Sequence, residues 1–159
     1  MQKDKRSGKI ALVAHCILNQ NSRVSGLAER SGTTAEIVEF LMHKDVGIIQ
    51  MPCPELMYAG ILRETRTKHE YDNAKFRSHC RKIAEEILQQ IREYSKGGIK
   101  AKVVIGVDGS PSCGVADSGI LMTELCSKLV ENEITVPFHG IRYKRLAEDL
   151  VELESLIGN

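Results

Sequence analysis

Short apolar runs of strand length alternate with apolar stripes at helical spacing along the chain. Ile10–Ala14, Val46–Met51 and Val103–Val107 are such runs, each followed by a turn of small or constrained residues. Runs of this kind read as strands buried on both faces of a parallel sheet. Between the first two, Thr33 and Glu36 form a T-x-x-E capping box that predicts a helix with Ile37, Phe40 and Leu41 inward. A long polar segment, residues 55–71, follows the second strand. Asp72 is the expected cap of the longest helix, which runs to about Tyr94 and stops at Gly97-Gly98. Phe76, Cys80, Ile83, Ala84, Ile87 and Ile91 mark its buried stripe. The third strand, Lys102–Val107, leads into a loop over 108–119. A helix from about Ile120 to Glu131 then aligns Leu121, Leu125 and Leu129. Ile134–Phe138 reads as a fourth strand, with Pro137 suited to an edge. Leu146, Leu150, Leu153 and Ile157 share one face of a closing helix.

This β-α-β-α-β-α-β-α succession predicts one α/β domain over residues 1–159. Its expected form is an open parallel sheet of four strands in the order 2-1-3-4, with helices on both faces. A chain of 159 residues can bury a substantial core, so no disulfide framework is needed to hold it. A net charge of +1 gives no bulk attraction to nucleic acid or an anionic membrane, and the absence of Trp argues against a base-stacking platform. No apolar stretch approaches the roughly 20 residues that span a bilayer. The run after the basic N-terminus is also shorter than the apolar core of a signal peptide. A cytoplasmic protein with no nucleic-acid or membrane partner is expected.

Five cysteines, an odd number, point to ligands, catalytic thiols or core residues rather than paired bridges. Cys80 and Cys126 lie on helical apolar stripes and read as core. Cys16, Cys53 and Cys113 each occupy the turn directly after a strand. In a 2-1-3-4 sheet those turns are neighbours at the carboxyl edge, where open α/β folds place their ligands. Three thiolates gathered there suit a soft metal or an iron–sulfur cluster with one ligand position open. Zinc would take a fourth ligand, with His15 or His139 as candidates, or water. A 4Fe-4S cluster on three cysteines would leave one iron free to act as a Lewis acid. The lack of a C-x-x-C pair points to a site assembled by the fold, and spacing leaves both metals open. The loop Gly106-Val-Asp-Gly-Ser-Pro-Ser-Cys-Gly114 offers backbone N–H groups that could cradle an anion or the sulfurs of a cluster.

Cys16 with Asn19 and Arg23, then Pro52-Cys53-Pro54-Glu55, then Ser110-Pro111-Ser112-Cys113-Gly114 together resemble the thiouracil-desulfidase family, small bacterial and archaeal proteins. The resemblance covers residues 9–142. It implies a Rossmann-like, flavodoxin-like fold, a 4Fe-4S cluster on Cys16, Cys53 and Cys113, and removal of sulfur from a thiolated nucleobase without redox chemistry. Glu55 and Ser110 match the family's catalytic carboxylate and hydroxyl. Where the family usually has C-L-L-G and R-Y-D-G, this chain has Cys16-Ile-Leu-Asn and Arg23-Val-Ser-Gly26. Its glycine-rich stretch with T-P-R is replaced by Leu56-Met-Tyr-Ala-Gly60 and Arg63-Glu-Thr-Arg66, which marks a divergent branch.

On this reading Glu55 is the general base that activates water, and Ser110 orients the substrate or relays a proton. Arg23, Arg63, Arg66 and Ser112 are the expected contacts to a small thiolated substrate, and the three arginines suit an anionic or carbonyl-rich one, since guanidinium matches planar oxygen pairs. Asp108, His15 and Tyr58 are secondary site candidates, and His43, His69 and His79 read as surface. Two other classes compete with the desulfidase. One is a non-catalytic iron–sulfur or zinc-binding sensory module. The other is a flavodoxin-like phosphate binder, which lacks both G-x-G-x-x-G and the P-loop motif.

Overall fold

In the computed structural model, which describes residues 2–158, four parallel strands stand in the order β2-β1-β3-β4. They are β1 (Lys9–Ala14), β2 (Gly47–Met51), β3 (Lys100–Val107) and β4 (Phe138–Ile141). The two central strands carry the most apolar runs. Ile10–Ala14 and Val103–Val107 are buried throughout, because both faces of the sheet are covered. Leu12 aligns with Ile49 on one side and Val104 on the other, so the register brings the three strands to a common edge.

The major helices are α2 (Ala35–His43), α5 (Ala74–Lys96), α6 (Ile120–Glu131) and α7 (Leu146–Ile157); α5 packs along α6, and α2 meets α7. Right-handed crossovers from a 2-1-3-4 sheet put these two pairs on opposite faces. The expected stripe of α5 is buried from Phe76 to Ile91. Each fully buried Ile or Leu there contributes about 1.5–3 kcal/mol of transfer free energy. No described helix is long and apolar enough to cross a membrane.

Four local expectations are corrected. First, β4 begins after Pro137 rather than at Ile134. The Ile134 N–H closes the end of α6 on the Leu129 carbonyl at 2.9 Å, and pairing with β3 starts when the Pro137 carbonyl accepts from Val104 N–H at 2.9 Å. The strand nonetheless sits on the expected edge.

Second, the cap of α5 is Asn73, whose Oδ1 accepts from Phe76 N–H at 2.9 Å. Asp72 instead pairs with Arg77 at 2.6 Å.

Third, the Thr33–Glu36 box does not close. Glu36 is held by Arg30 at 2.8 Å, and the buried Thr34 hydroxyl lies 2.8 Å from that of Tyr143. A capping box forms at Thr67–Glu70 instead, within the segment expected to be polar loop. That segment holds two short helices, α3 (Pro54–Ala59) and α4 (Lys68–Tyr71).

Fourth, Cys126 is exposed while Cys80 is buried. Cys126 follows the inward Leu125 by one residue, about 100° around the helix, and so clears the core.

Candidate active site

The carboxyl ends of β1, β2 and β3 open onto one cavity of about 240 Å³. Cys16 reaches it from the short helix α1 (His15–Leu18) directly after β1. Cys53 reaches it from the turn after β2, where it is the N-cap of α3 and its Sγ accepts from Leu56 N–H at 3.4 Å. Pro54 occupies the first turn of that helix, where its missing N–H costs nothing. Cys113 arrives from the long loop after β3. The three cysteines share the cavity wall with Glu55, Ser110, Arg23, Arg63 and Arg66. Ser112 lies behind the wall, buried, and touches the site through Glu55.

Two glycines allow the loop after β3 to fold back. The Cys113 carbonyl accepts from Val107 N–H at 2.9 Å, an approach so close that a Cβ on Gly106 would collide with the same oxygen. Asp108 clamps the loop from inside, its Oδ1 accepting from Val115 N–H at 2.8 Å and Ala116 N–H at 3.1 Å. Its own N–H donates to the Ile141 carbonyl at 3.0 Å. A Cβ on Gly140 would strike this carboxylate. Gly140 went unremarked in the sequence because only the pairing of Gly106 with Gly140 across β3 and β4 brings it beside Asp108. The expected fourth strand, Ile134–Phe138, stops short of Gly140, so no strand-glycine signal pointed to it.

Glu55 is held from both sides. Ser112 Oγ donates to Oε2 at 2.6 Å, Ser110 Oγ lies 3.5 Å from the same oxygen, and Arg63 Nε faces Oε1 at 3.8 Å. Arg63 is itself anchored, donating from Nη1 to the Gly60 carbonyl at 3.1 Å and from Nη2 to the Ser22 carbonyl at 2.9 Å. Ser110 also accepts from Cys113 N–H at 3.1 Å, so its hydroxyl shapes the turn as well as facing the carboxylate.

Burial pushes the Cys16 thiol up to about 11, against the pull of Arg23 and with the added repulsion of Cys53 and Glu55. Burial also raises Cys53, partly opposed by the Leu56 N–H. Cys113 is driven well above the ordinary thiol range by burial, then by the neighbouring Cys16 and Cys53. The three thiols therefore stay protonated near neutral pH until a soft cation displaces their protons.

The donor set fits such a cation. Three sulfurs converge on one cavity, and His15, also in its wall, has a buried Nδ1 with no hydrogen-bond partner. An S₃ set suits an iron–sulfur cluster, whereas no three donors among Cys16, Cys53, Cys113 and His15 lie within 4.8 Å of one another as a single zinc ion would need. His139 is no candidate for zinc's fourth place. It lies on β4, outside the cavity wall, with Nε2 2.9 Å from Asp149 and Nδ1 3.3 Å from Glu152.

The other side chains singled out in the sequence are placed as follows. Tyr58 packs edge-on against Phe76 at 4.9 Å and is not in the wall. His79 is half-buried rather than on the surface, its Nε2 3.1 Å from the Pro54 carbonyl oxygen at the start of α3. His43 and His69 are exposed.

Residues 8–125 match the family described as "Putative 2-thiouracil desulfurase", a span that includes every side chain of the cavity wall. An uncharacterized protein of Methanocaldococcus jannaschii is 41% identical over 142 residues, 89% of each chain. No solved structure matches the chain. With most of its length, all three strand-end cysteines and the loop between β3 and α6 inside the match, the chain belongs to the putative 2-thiouracil desulfurase family.

Proposed function

We propose that the protein is a desulfidase that holds a 4Fe-4S cluster on Cys16, Cys53 and Cys113 and removes sulfur from a thiocarbonyl compound, a thiolated nucleobase or a similar small molecule. The observation that carries this reading is the convergence of three strand-end thiols on one cavity with a carboxylate gripped by a hydroxyl. When bound through three cysteines, such a cluster supplies one iron without a protein ligand, a Lewis acid toward sulfur.

The overall change is hydrolytic. One water adds to the carbon, its oxygen becomes the new carbonyl, and sulfur leaves as hydrosulfide with one proton. No electron acceptor is consumed. Glu55 takes the proton from the attacking water, and Ser112 and Arg63 keep its carboxylate aimed into the cavity. Ser110, 3.5 Å from Glu55 Oε2, is placed to pass a proton between that carboxylate and the substrate.

Anaerobic preparation followed by iron and sulfide analysis tests the cofactor: about four of each per chain is the expected result, and stoichiometric zinc would overturn it. Hydrosulfide release from a panel of thiolated pyrimidines, thiolated nucleosides and thioamides tests the reaction. Glu55→Gln should lower turnover about a hundredfold or more while cluster absorbance persists. If cluster-loaded protein turns over none of the panel, the non-catalytic sensory module replaces the enzyme.

A further inference from the structure

The cavity wall carries two guanidiniums that no carboxylate meets in an ion pair among the described residues. Among the described residues, every arginine outside the wall meets a carboxylate or a side-chain amide. Within the wall, Arg63 faces Glu55. Arg23 and Arg66 make no such contact, although the exposed Arg66 is near enough to Glu70 to lower its carboxyl, and both line the same cavity. The two acids of the wall are already engaged, Glu55 by Ser112 and Arg63, Asp108 by the N–H groups of Val115 and Ala116.

Each of these two guanidiniums lies near an aromatic ring. The Arg23 centre lies 5.8 Å from the Tyr143 ring centroid and the Arg66 centre 5.3 Å from that of Tyr71. Ring contact of this kind engages the charge and leaves the N–H fork free to donate. Arg23 Nη1 is buried and donates to nothing, an arrangement that is costly unless a ligand completes it. Arg23 is near enough to Cys16 to act on its thiol, so an oxidised or metal-bound sulfur could account for part of its charge. Arg66 is not among the principal charges acting on any of the three thiols, and that account leaves it unexplained.

We infer that Arg23 and Arg66 form an oxyanion subsite, so that the molecule desulfurised carries an anionic oxygen group beside its thiocarbonyl. The thiocarbonyl half of this inference rests on the proposed desulfidase reaction, and the oxyanion half does not. A carboxylate carried directly on that molecule is the smallest group that supplies the two oxygens a guanidinium matches, and a nucleotide phosphate is the alternative the test separates.

The test measures binding of oxygen analogues that cannot be turned over. Calorimetry on the cluster-loaded protein compares uracil with orotate, its 6-carboxylate, and with uridine 5′-phosphate. Orotate should bind at least about tenfold more tightly than uracil. Arg23→Gln and Arg66→Gln should each reduce that preference to less than about threefold with iron and sulfide content unchanged. Tight uridine 5′-phosphate with weak orotate would keep the subsite and make phosphate its ligand.

Equal binding of all three probes overturns the subsite. So does a preference that survives both substitutions, or iron loss as the main effect of Arg66→Gln. If the preference holds but no thiolated compound releases hydrosulfide, the subsite stands and the desulfidase reaction falls. If neutral 2-thiouracil is consumed as fast as 2-thio-orotate, the reaction stands and the subsite falls.

Discussion

At the scale of single residues, the two serines of the loop after β3 divide their work. Ser112 gives its hydroxyl to Glu55 at 2.6 Å, whereas Ser110 accepts from the Cys113 N–H and so holds the turn that carries this cysteine. Ser112→Ala should therefore lower kcat about tenfold, the loss of one bond that orients a base, with iron content unchanged. Ser110→Ala should lower iron content as well, and metal analysis of both variants separates the two roles. Among the cysteines, Cys16→Ser, Cys53→Ser and Cys113→Ser should each abolish cluster binding, because a hydroxyl is a poor ligand where iron takes thiolate. Cys80→Ser should keep the cluster but cost about 1–3 kcal/mol by burying a hydroxyl. Cys126→Ser, at an exposed position, should change neither. Loss of metal from Cys80→Ser as complete as from Cys113→Ser would break the assignment.

At the scale of elements, the start of α5 sets two adjacent residues against each other. Asn73 caps the helix through a 2.9 Å bond to Phe76 N–H, while Asp72 makes a surface ion pair with Arg77. Asn73→Ala should cost about 1 kcal/mol in urea unfolding. Asp72→Ala should cost less than about 1 kcal/mol, and the difference should widen in salt because only the ion pair is screened. The β3–β4 pair poses a similar contrast. Gly140→Ala places a Cβ against the Asp108 carboxylate that clamps the loop. It should lower iron retention more than its effect on overall stability would explain, which metal analysis beside a melting curve would show.

At the scale of the whole molecule, the sheet is a scaffold whose far edge is tied down by charge. Asp149 on α7 is fully buried and accepts from the Arg142 N–H at 2.7 Å and from its guanidinium at 2.9 Å, with His139 at 2.9 Å. Those contacts join the last helix to the strand that abuts Asp108. The same cluster brings His139, Asp149 and Glu152 within ligand range of one another, but Arg142 already supplies the cation. Asp149→Ala leaves Arg142 with only the exposed Glu152, 3.4 Å away, and takes the 2.9 Å partner from the buried His139. It should destabilise the protein by about 3 kcal/mol, read as a lower urea midpoint at unchanged slope. A change of less than about 1 kcal/mol would mean that apolar packing of Leu153 and Ile157 holds α7 by itself.

The order of elements, the sheet topology and the gathering of Cys16, Cys53 and Cys113 were legible along the chain. Apolar period distinguishes strand from helix locally, and the handedness of crossovers then leaves few ways to arrange four parallel strands. Residues that end a strand in such a sheet meet at its carboxyl edge whatever their neighbours are. Choices between near-equal partners were not legible. Asn73 over Asp72, Thr67–Glu70 over Thr33–Glu36 and the late start of β4 each turned on which donor or charge stood nearby after folding. The same holds for the site's finer chemistry. Only packing decided that Ser112 reaches Glu55, that Gly140 faces Asp108, and that Arg63 is tied to backbone while Arg23 and Arg66 are left open. Periodicity is a property of neighbours in the chain, whereas the state of a polar side chain is set by competition among groups far apart in sequence, and that competition is resolved only in three dimensions.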